Sequence, residues 1–308
     1  MSLVEKALKK MQESAKPVTA PPPAPAAMSP AAPRVAVEPP RRSGETAAQR
    51  VAPTPPPPPQ RVVVFNPQTL RAGGLLPPEH QERQLAQQYR QIKRPLIDAA
   101  IGRNMAALPN GRLIMLASAL SGEGKTFTSL NLALSMAREK DVSILLVDAD
   151  VAKPHISRAL GVNHEPGMLD LLRDPNLNPE SVILQTDVPN LSMLPVGSHS
   201  ENATELLASE RMEQVAQALI AHDPQRLVLF DSSPLMLTTE AQALAQVVGQ
   251  IALVVRASST SHQVLLEALE SVRNRASVSL ILNQCKAQSN NSYYYYGYGD
   301  NGVQTAAE

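Results

Sequence analysis

The sequence has no tryptophan, three phenylalanines and a single cysteine, Cys285. One thiol excludes an internal disulfide and a cysteine-based metal cluster. No apolar run approaches the ~20 residues that a transmembrane helix needs. The opening MSLVEKALKKMQES also lacks the apolar stretch of a signal peptide, so the chain is expected in the cytoplasm. Against this scarcity of aromatics, the six tyrosines are unevenly placed. Five of them, Tyr293, Tyr294, Tyr295, Tyr296 and Tyr298, fall within NNSYYYYGYGDNG near the end of the sequence.

Proline is concentrated: 15 of the 28 lie in residues 17–60, among Ala, Val and Arg. Such a stretch cannot bury enough apolar surface to offset the entropy of ordering it. It is therefore expected to be a disordered, partly polyproline linker, or a ligand for proline-recognition domains. The formal net charge of zero hides an asymmetry. Residues 1–110 carry 15 Lys/Arg against 7 Asp/Glu, and residues 111–308 carry 13 against 21. A basic arm of +8 thus precedes an acidic body of −8, and such an arm suits anionic headgroups or an acidic neighbour as well as a plain soluble linker.

Leu3, Val4, Ala7, Leu8 and Met11 make one stripe at helical spacing, which predicts a short amphipathic helix within 1–16. Residues 61–110 read as an extended then helical lead-in. Leu85, Tyr89, Ile92 and Leu96 share one face there, Arg90, Lys93 and Arg94 lie beside it, and Pro95 is expected to kink or end the helix. From Arg112 onward, LIMLAS, SILLVDAD, LVLFDSS, IALVVRA and SVSLILN are short apolar runs of the kind found in strands buried on both faces. Helical patterns at 126–140, 205–221, 239–247 and 261–275 separate them. This alternation predicts an α/β fold over 111–285, with a mostly parallel sheet between two layers of helices. Ligands of such sheets bind at the carboxyl ends of the strands.

ASALSGEGKTFTSLNLALSMA follows the first strand and opens a helix, the context that a phosphate loop requires. Gly122 and Gly124 allow a tight turn, so that the N–H groups of Ser121, Gly122, Glu123, Gly124 and their neighbours through Phe127 can point at phosphate oxygens. The helix start adds partial positive charge. Lys125 is placed to reach β/γ-phosphates, and the Thr126 hydroxyl to bind Mg²⁺. The usual first glycine of the motif is replaced by Ala119. Asp148 and Asp150 close ILLVDAD, and Asp231 closes LVLF, at strand ends that a parallel sheet brings beside that loop. Three carboxylates near a triphosphate require a divalent cation between them, so ATP and Mg²⁺ are inferred together. A purely helix-capping role for Asp150 stays open.

ALSGEGKTFTSLNLA, ILLVDADVAKP and LVLFDSSPLMLTTEA resemble the Walker A, Walker A′ and Walker B motifs of bacterial tyrosine kinases. MSLVEKALKKMQ, YRQIKRPL, ENATELLAS and the tyrosine-rich end narrow the resemblance to the soluble, exopolysaccharide-locus (PEP-CTERM, exosortase-associated) autokinases of that family. It implies a P-loop NTPase three-layer sandwich of MinD/ParA type, a disordered arm before it and a disordered tail over 286–308. It further implies that Lys125, Asp148, Asp150 and Asp231 are catalytic, with Thr126, Asp148 and Asp231 at the metal and Asp148 as the base toward a tyrosine hydroxyl. Asn283 is implied to meet the adenine, although a strand-end turn role fits it equally. The implied partners are a membrane chain-length-determinant (polysaccharide co-polymerase) protein, a phosphotyrosine phosphatase and further copies of the chain, but no nucleic acid. Attachment at the inner membrane would then be peripheral, through the partner. Two departures stand out: Ala152 and Lys153 occupy positions where the family often has arginine, and Gln87, Arg90 and Lys93 stand for its Glu-x-x-Arg-x-x-Arg oligomerisation helix.

Two other readings keep the nucleotide site. A MinD/ParA-type positioning ATPase would have a second lysine where Leu120 stands. A nucleotide-gated scaffold would use the tail only as an adhesive patch. On the kinase reading the tail is the substrate, its five tyrosines modified in turn by a neighbouring copy. Each phosphotyrosine adds about −1.5 to −2 charges, so a fully modified tail should be expelled from an acidic site.

Overall fold

The computed structural model describes residues 62–103, 106–273 and 276–285, all within one compact unit. The expected helix in 1–16, the linker over 17–60 and the tail over 286–308, with its five tyrosines, lie outside the described residues.

Seven strands form one sheet: β1 (Leu113–Ser118), β2 (Ser143–Asp148), β3 (Leu184–Gln185), β4 (Leu191–Leu194), β5 (Arg226–Asp231), β6 (Gln250–Arg256) and β7 (Ser277–Asn283). Their order across the sheet is β3-β4-β2-β5-β1-β6-β7, and all neighbours are parallel except β3 and β4. Within the four central strands the alternation of side chains sorts the core into two layers. Leu113, Met115, Leu145, Val147, Val228, Phe230, Ile251 and Leu253 point to one face, Ile114, Leu116, Ile144, Leu146, Leu227, Leu229, Ala252 and Val254 to the other. Both sets are shielded from water, which is why these strands read as unbroken apolar runs.

The lead-in contains α1 (Pro67–Ala72), a 3₁₀ turn and α2 (Glu82–Ile101). Val63, Phe65, Leu70, Leu75, Tyr89, Leu96 and Ile97 join the second layer with Leu130 and Met136 of α3 (Lys125–Met136), so the lead-in shares the core of the sheet. α2 runs through Pro95 and ends at Gly102, whose φ of 75° supplies the left-handed cap. Pro95 is exposed, so the Gln91 carbonyl that loses its intrahelical donor lies toward solvent.

Five short elements escape the sequence pattern: β3, β4, α4 (His155–Ala159), α5 (Met168–Arg173) and α6 (Pro179–Val182). Each is too short to show a period. The pattern over 205–221 resolves into α7 (Ala203–Leu207) and α8 (Glu210–Ala221); α9 (Thr239–Leu244) and α10 (His262–Ser271) follow. One expectation is corrected. SVSLILN is not covered on both faces: β7 is an edge strand, with Leu280 and Leu282 55% and 63% exposed. No helix among the described residues is long and apolar enough to cross a membrane.

Candidate nucleotide and phosphoryl-transfer site

The site lies at the carboxyl ends of β1, β2 and β5. The chain leaves β1 at Ser118, turns through residues 119–124 and enters α3 at Lys125. Gly122 and Gly124 have φ of 82° and 90°, a region that favours glycine. Gly124 is also crowded, since a Cβ there would sit 2.1 Å from Nδ2 of Asn283. Asn283 donates to the Glu123 carbonyl at 2.9 Å, and Gln284 donates to the Gly122 carbonyl at 3.3 Å. The end of β7 therefore holds the back of the loop. Glu123 is buried and fastens the front: one carboxylate oxygen accepts the Leu120 N–H at 2.8 Å, the other the hydroxyl of Thr260.

Four charged side chains converge where the loop meets the strand ends. The Lys125 ammonium lies 3.3 Å from Oδ1 of Asp231 and 3.7 Å from Oδ2 of Asp150. Asp231 is fully buried and also accepts the Ser129 hydroxyl at 2.9 Å. Asp150 accepts the Lys153 N–H at 3.0 Å and the Ser233 hydroxyl at 2.9 Å, so it shapes the turn after β2 while facing the lysine. Asp148 accepts the Ser157 N–H at 2.8 Å. Burial first, then the neighbouring charge of Asp231, push its carboxyl up to about 7.

Asp148 Oδ1 and Asp231 Oδ2 are buried and accept no hydrogen bond among the described residues. Orphaned carboxylate oxygens of this kind are costly unless a cation or water meets them. They fit Mg²⁺, which binds one or two carboxylates and completes its shell with water and phosphate oxygens. No group of three or more His, Cys, Asp or Glu among the described residues is placed to hold a metal ion.

The cleft has a volume of about 410 Å³. Ser121, Gly122, Glu123, Gly124, Lys125, Thr126, Phe127 and Asp150 all line it. Asp148 and Asp231 do not line it; both are fully buried at adjacent strand ends, and Asp231 pairs with Lys125. Gly74 and Leu75 of the lead-in, with Leu237 and Thr238 after β5, complete the walls without belonging to any local motif for such a site. Ser129, Ser157, Ser233 and Thr260 support the site as well. These are ordinary polar residues in sequence, and only their contacts mark them.

A family model described as an AAA domain matches residues 111–281. Tyrosine-protein kinase YwqD of Bacillus subtilis is 31% identical over 222 residues, covering 71% of this chain and 89% of that protein. Putative tyrosine-protein kinase EpsB of Ralstonia nicotianae is 32% identical over 187 residues, which span 61% of this chain and only 24% of that longer protein. Among solved structures, the VpsO kinase domain superposes with a TM-score of 0.56 at 27% identity, covering 68% of this chain and 100% of that one. The BceF tyrosine kinase domain gives 0.56 at 24% identity over 72% of this chain and 90% of that one, a likeness of fold.

Proposed function

The chain belongs to the bacterial tyrosine kinase family, and on that premise we propose that it uses ATP to phosphorylate tyrosines 293–298 of its own tail, in a neighbouring copy. The observation that carries the reading is the pair of orphaned oxygens on Asp148 and Asp231, the latter paired with the Lys125 ammonium. It provides a charged, desolvated place where phosphoryl transfer can occur and where water is scarce.

The residues divide the work. Backbone N–H groups from Ser121 to Phe127 cradle the phosphates, and Lys125 exchanges its carboxylate partners for β/γ-phosphate oxygens. Thr126, Asp148 and Asp231 would hold Mg²⁺, which when bound neutralises charge on the phosphate oxygens. The tyrosine oxygen forms a bond to the γ-phosphorus as the bond to the β,γ-bridging oxygen breaks. ADP leaves, and the phenolic proton passes to the Asp148 carboxylate. Most of the rate arises from positioning and charge stabilisation around a loose transition state.

Asn283, whose contact with adenine was implied by resemblance, here grips the phosphate loop; in the proposed complex it does both from the strand end. The wider role follows the same family premise. The kinase acts in exopolysaccharide production, bound peripherally at the inner membrane through a chain-length-determinant partner, with a phosphatase resetting the tail and self-association supplying the neighbour. The deciding experiment is incubation of the purified full chain with Mg²⁺-ATP and mass mapping of phosphotyrosine. Phosphate on Tyr293–Tyr298 is expected. ATP hydrolysis without any phosphotyrosine would favour a positioning ATPase or scaffold.

A further inference from the structure

A second cavity, of about 570 Å³, opens between α1, α2 and α3, away from the nucleotide cleft. Its size suits a ligand larger than an ion. The apolar part of its lining comes from Leu76, Leu85, Ala86 and Leu134, with the buried ring of Tyr89. Around these stand five cations, Arg71, Arg90, Lys93, Arg94 and Arg138, against two carboxylates, Glu82 and Glu139.

Both carboxylates are already engaged. Glu82 pairs with Arg71, and Glu139 lies 2.8 Å from the Lys93 ammonium, which also donates to the Ser135 carbonyl at 2.6 Å. Lys93, and after it Arg103 and Arg94, hold the Glu139 carboxyl below its ordinary range. Arg90 and Arg138 are exposed and make no hydrogen bond or ion pair among the described residues; Arg94, also exposed, acts on Glu139 only through space. Three guanidinium groups are thus free to meet an anion on a body whose residues 111–308 are otherwise net acidic.

The occupant must carry dense negative charge and an aromatic or aliphatic part. We propose that this cavity binds the phosphorylated tyrosine cluster of residues 293–298. Guanidinium groups bind phosphate in bidentate fashion and stack on aromatic rings, the same pairing used where arginine clusters read phosphorylated peptides. Charge complementarity selects the modified tail over the unmodified one. Residues 286–308 carry one lysine against one Asp and one Glu, so without phosphate they offer almost nothing to three arginines. Five phosphates would add roughly −8 to −10 charges. The same charge excludes the tail from the nucleotide cleft, which Asp150 lines and behind which Asp148 and Asp231 are buried. The tail therefore leaves the catalytic site on modification and is captured at α2 and α3.

The proposal rests on the tail's being the kinase's substrate, but binding can be measured without that reaction. A synthetic peptide of residues 288–302 bearing phosphotyrosine at 293–296 and 298 is titrated onto the full-length Lys125→Met chain by fluorescence anisotropy, beside the unphosphorylated peptide. Binding at least tenfold tighter for the phosphopeptide is expected, weakening as salt rises. Arg90→Gln/Arg94→Gln/Arg138→Gln, all at exposed positions, should lose at least tenfold. Ala86→Phe, which fills the cavity and keeps every cation, should lose a similar factor, whereas mere surface adhesion would survive it. Equal affinity for the two peptides, or an unaffected triple variant, overturns the proposal. So does a surface that binds phosphatidylglycerol vesicles through these arginines and not the phosphopeptide, which would make it a membrane face. Failure of the kinase reading shows separately, as absence of phosphotyrosine after incubation with Mg²⁺-ATP.

Discussion

Asp148 and Asp231 stand directly opposite each other in the register of β2 and β5, and each turns one buried oxygen toward no partner among the described residues. Two like charges at adjacent strand ends repel, and burial deprives them of water. The arrangement destabilises the fold locally and prepares it for a cation.

The first prediction follows from that burial and, after it, the repulsion. Asp148 takes its proton at about 7 in the folded chain, against an ordinary 3.8. A carboxyl raised on folding contributes stability while it is protonated, and this is lost as pH rises from about 4 through 7. Asp148→Asn, neutral at every pH, should therefore melt higher than the parent at pH 8 without divalent cation. The gap should close toward pH 4, and Mg²⁺ with nucleotide should narrow it at pH 8. Thermal melts across pH decide it; a gap independent of pH would refute the assigned cause.

Lys125→Met removes the cation beside Asp231 and Asp150. Phosphotyrosine formation should fall by at least ~10²-fold, as when a charge partner of the transition state is deleted. Stability without nucleotide should drop by roughly 1.5–3 kcal/mol, the worth of a hydrogen bond to a charged group. Circular dichroism should be unchanged, because Ser129 still donates to Asp231. Full phosphorylation by this variant would remove Lys125 from the mechanism.

Gly122→Ala and Gly124→Ala should differ. Both glycines have positive φ, but a Cβ at 122 meets nothing within 4 Å, whereas one at 124 collides with Asn283. The first change should cost about 1 kcal/mol of backbone strain. The second should cost more, of the order of 2–3 kcal/mol, and weaken nucleotide binding tenfold or more. Chemical denaturation and nucleotide titration read both quantities, and equal effects would mean the close approach is not a constraint.

Asn283→Ala separates loop support from base recognition. Losing the bond to the Glu123 carbonyl should loosen the loop and weaken inorganic tripolyphosphate by a few-fold, corresponding to about 1 kcal/mol, and ADP by more because the adenine contact is lost as well. Calorimetric titration of both ligands tests this. A loss confined to ADP would show that Asn283 acts on the adenine alone.

Much of this protein is legible before folding is considered. The central strands show as unbroken apolar runs because both faces are covered, and the phosphate loop shows because its glycines, lysine and threonine are contiguous between a strand and a helix. Asp148, Asp150 and Asp231 stand out as acids that end apolar runs. Those signals are local, set by burial and backbone geometry within a few residues. What the tertiary structure decided is which distant residues meet. The sheet order sets β2 against β5, so Asp148 faces Asp231 across 83 positions of chain. The same order carries the end of β7 back to the phosphate loop, 160 residues away, where Asn283 and Glu123 join. The lead-in folds onto α3 and contributes Leu75 to the nucleotide wall and α2 to a basic cavity. The exposed flank of β7 has the same origin: SVSLILN looks like its neighbours in sequence, and only its place at the sheet edge uncovers Leu280 and Leu282. Local pattern specifies an element and its faces; the partner of each face depends on packing among elements far apart in the chain.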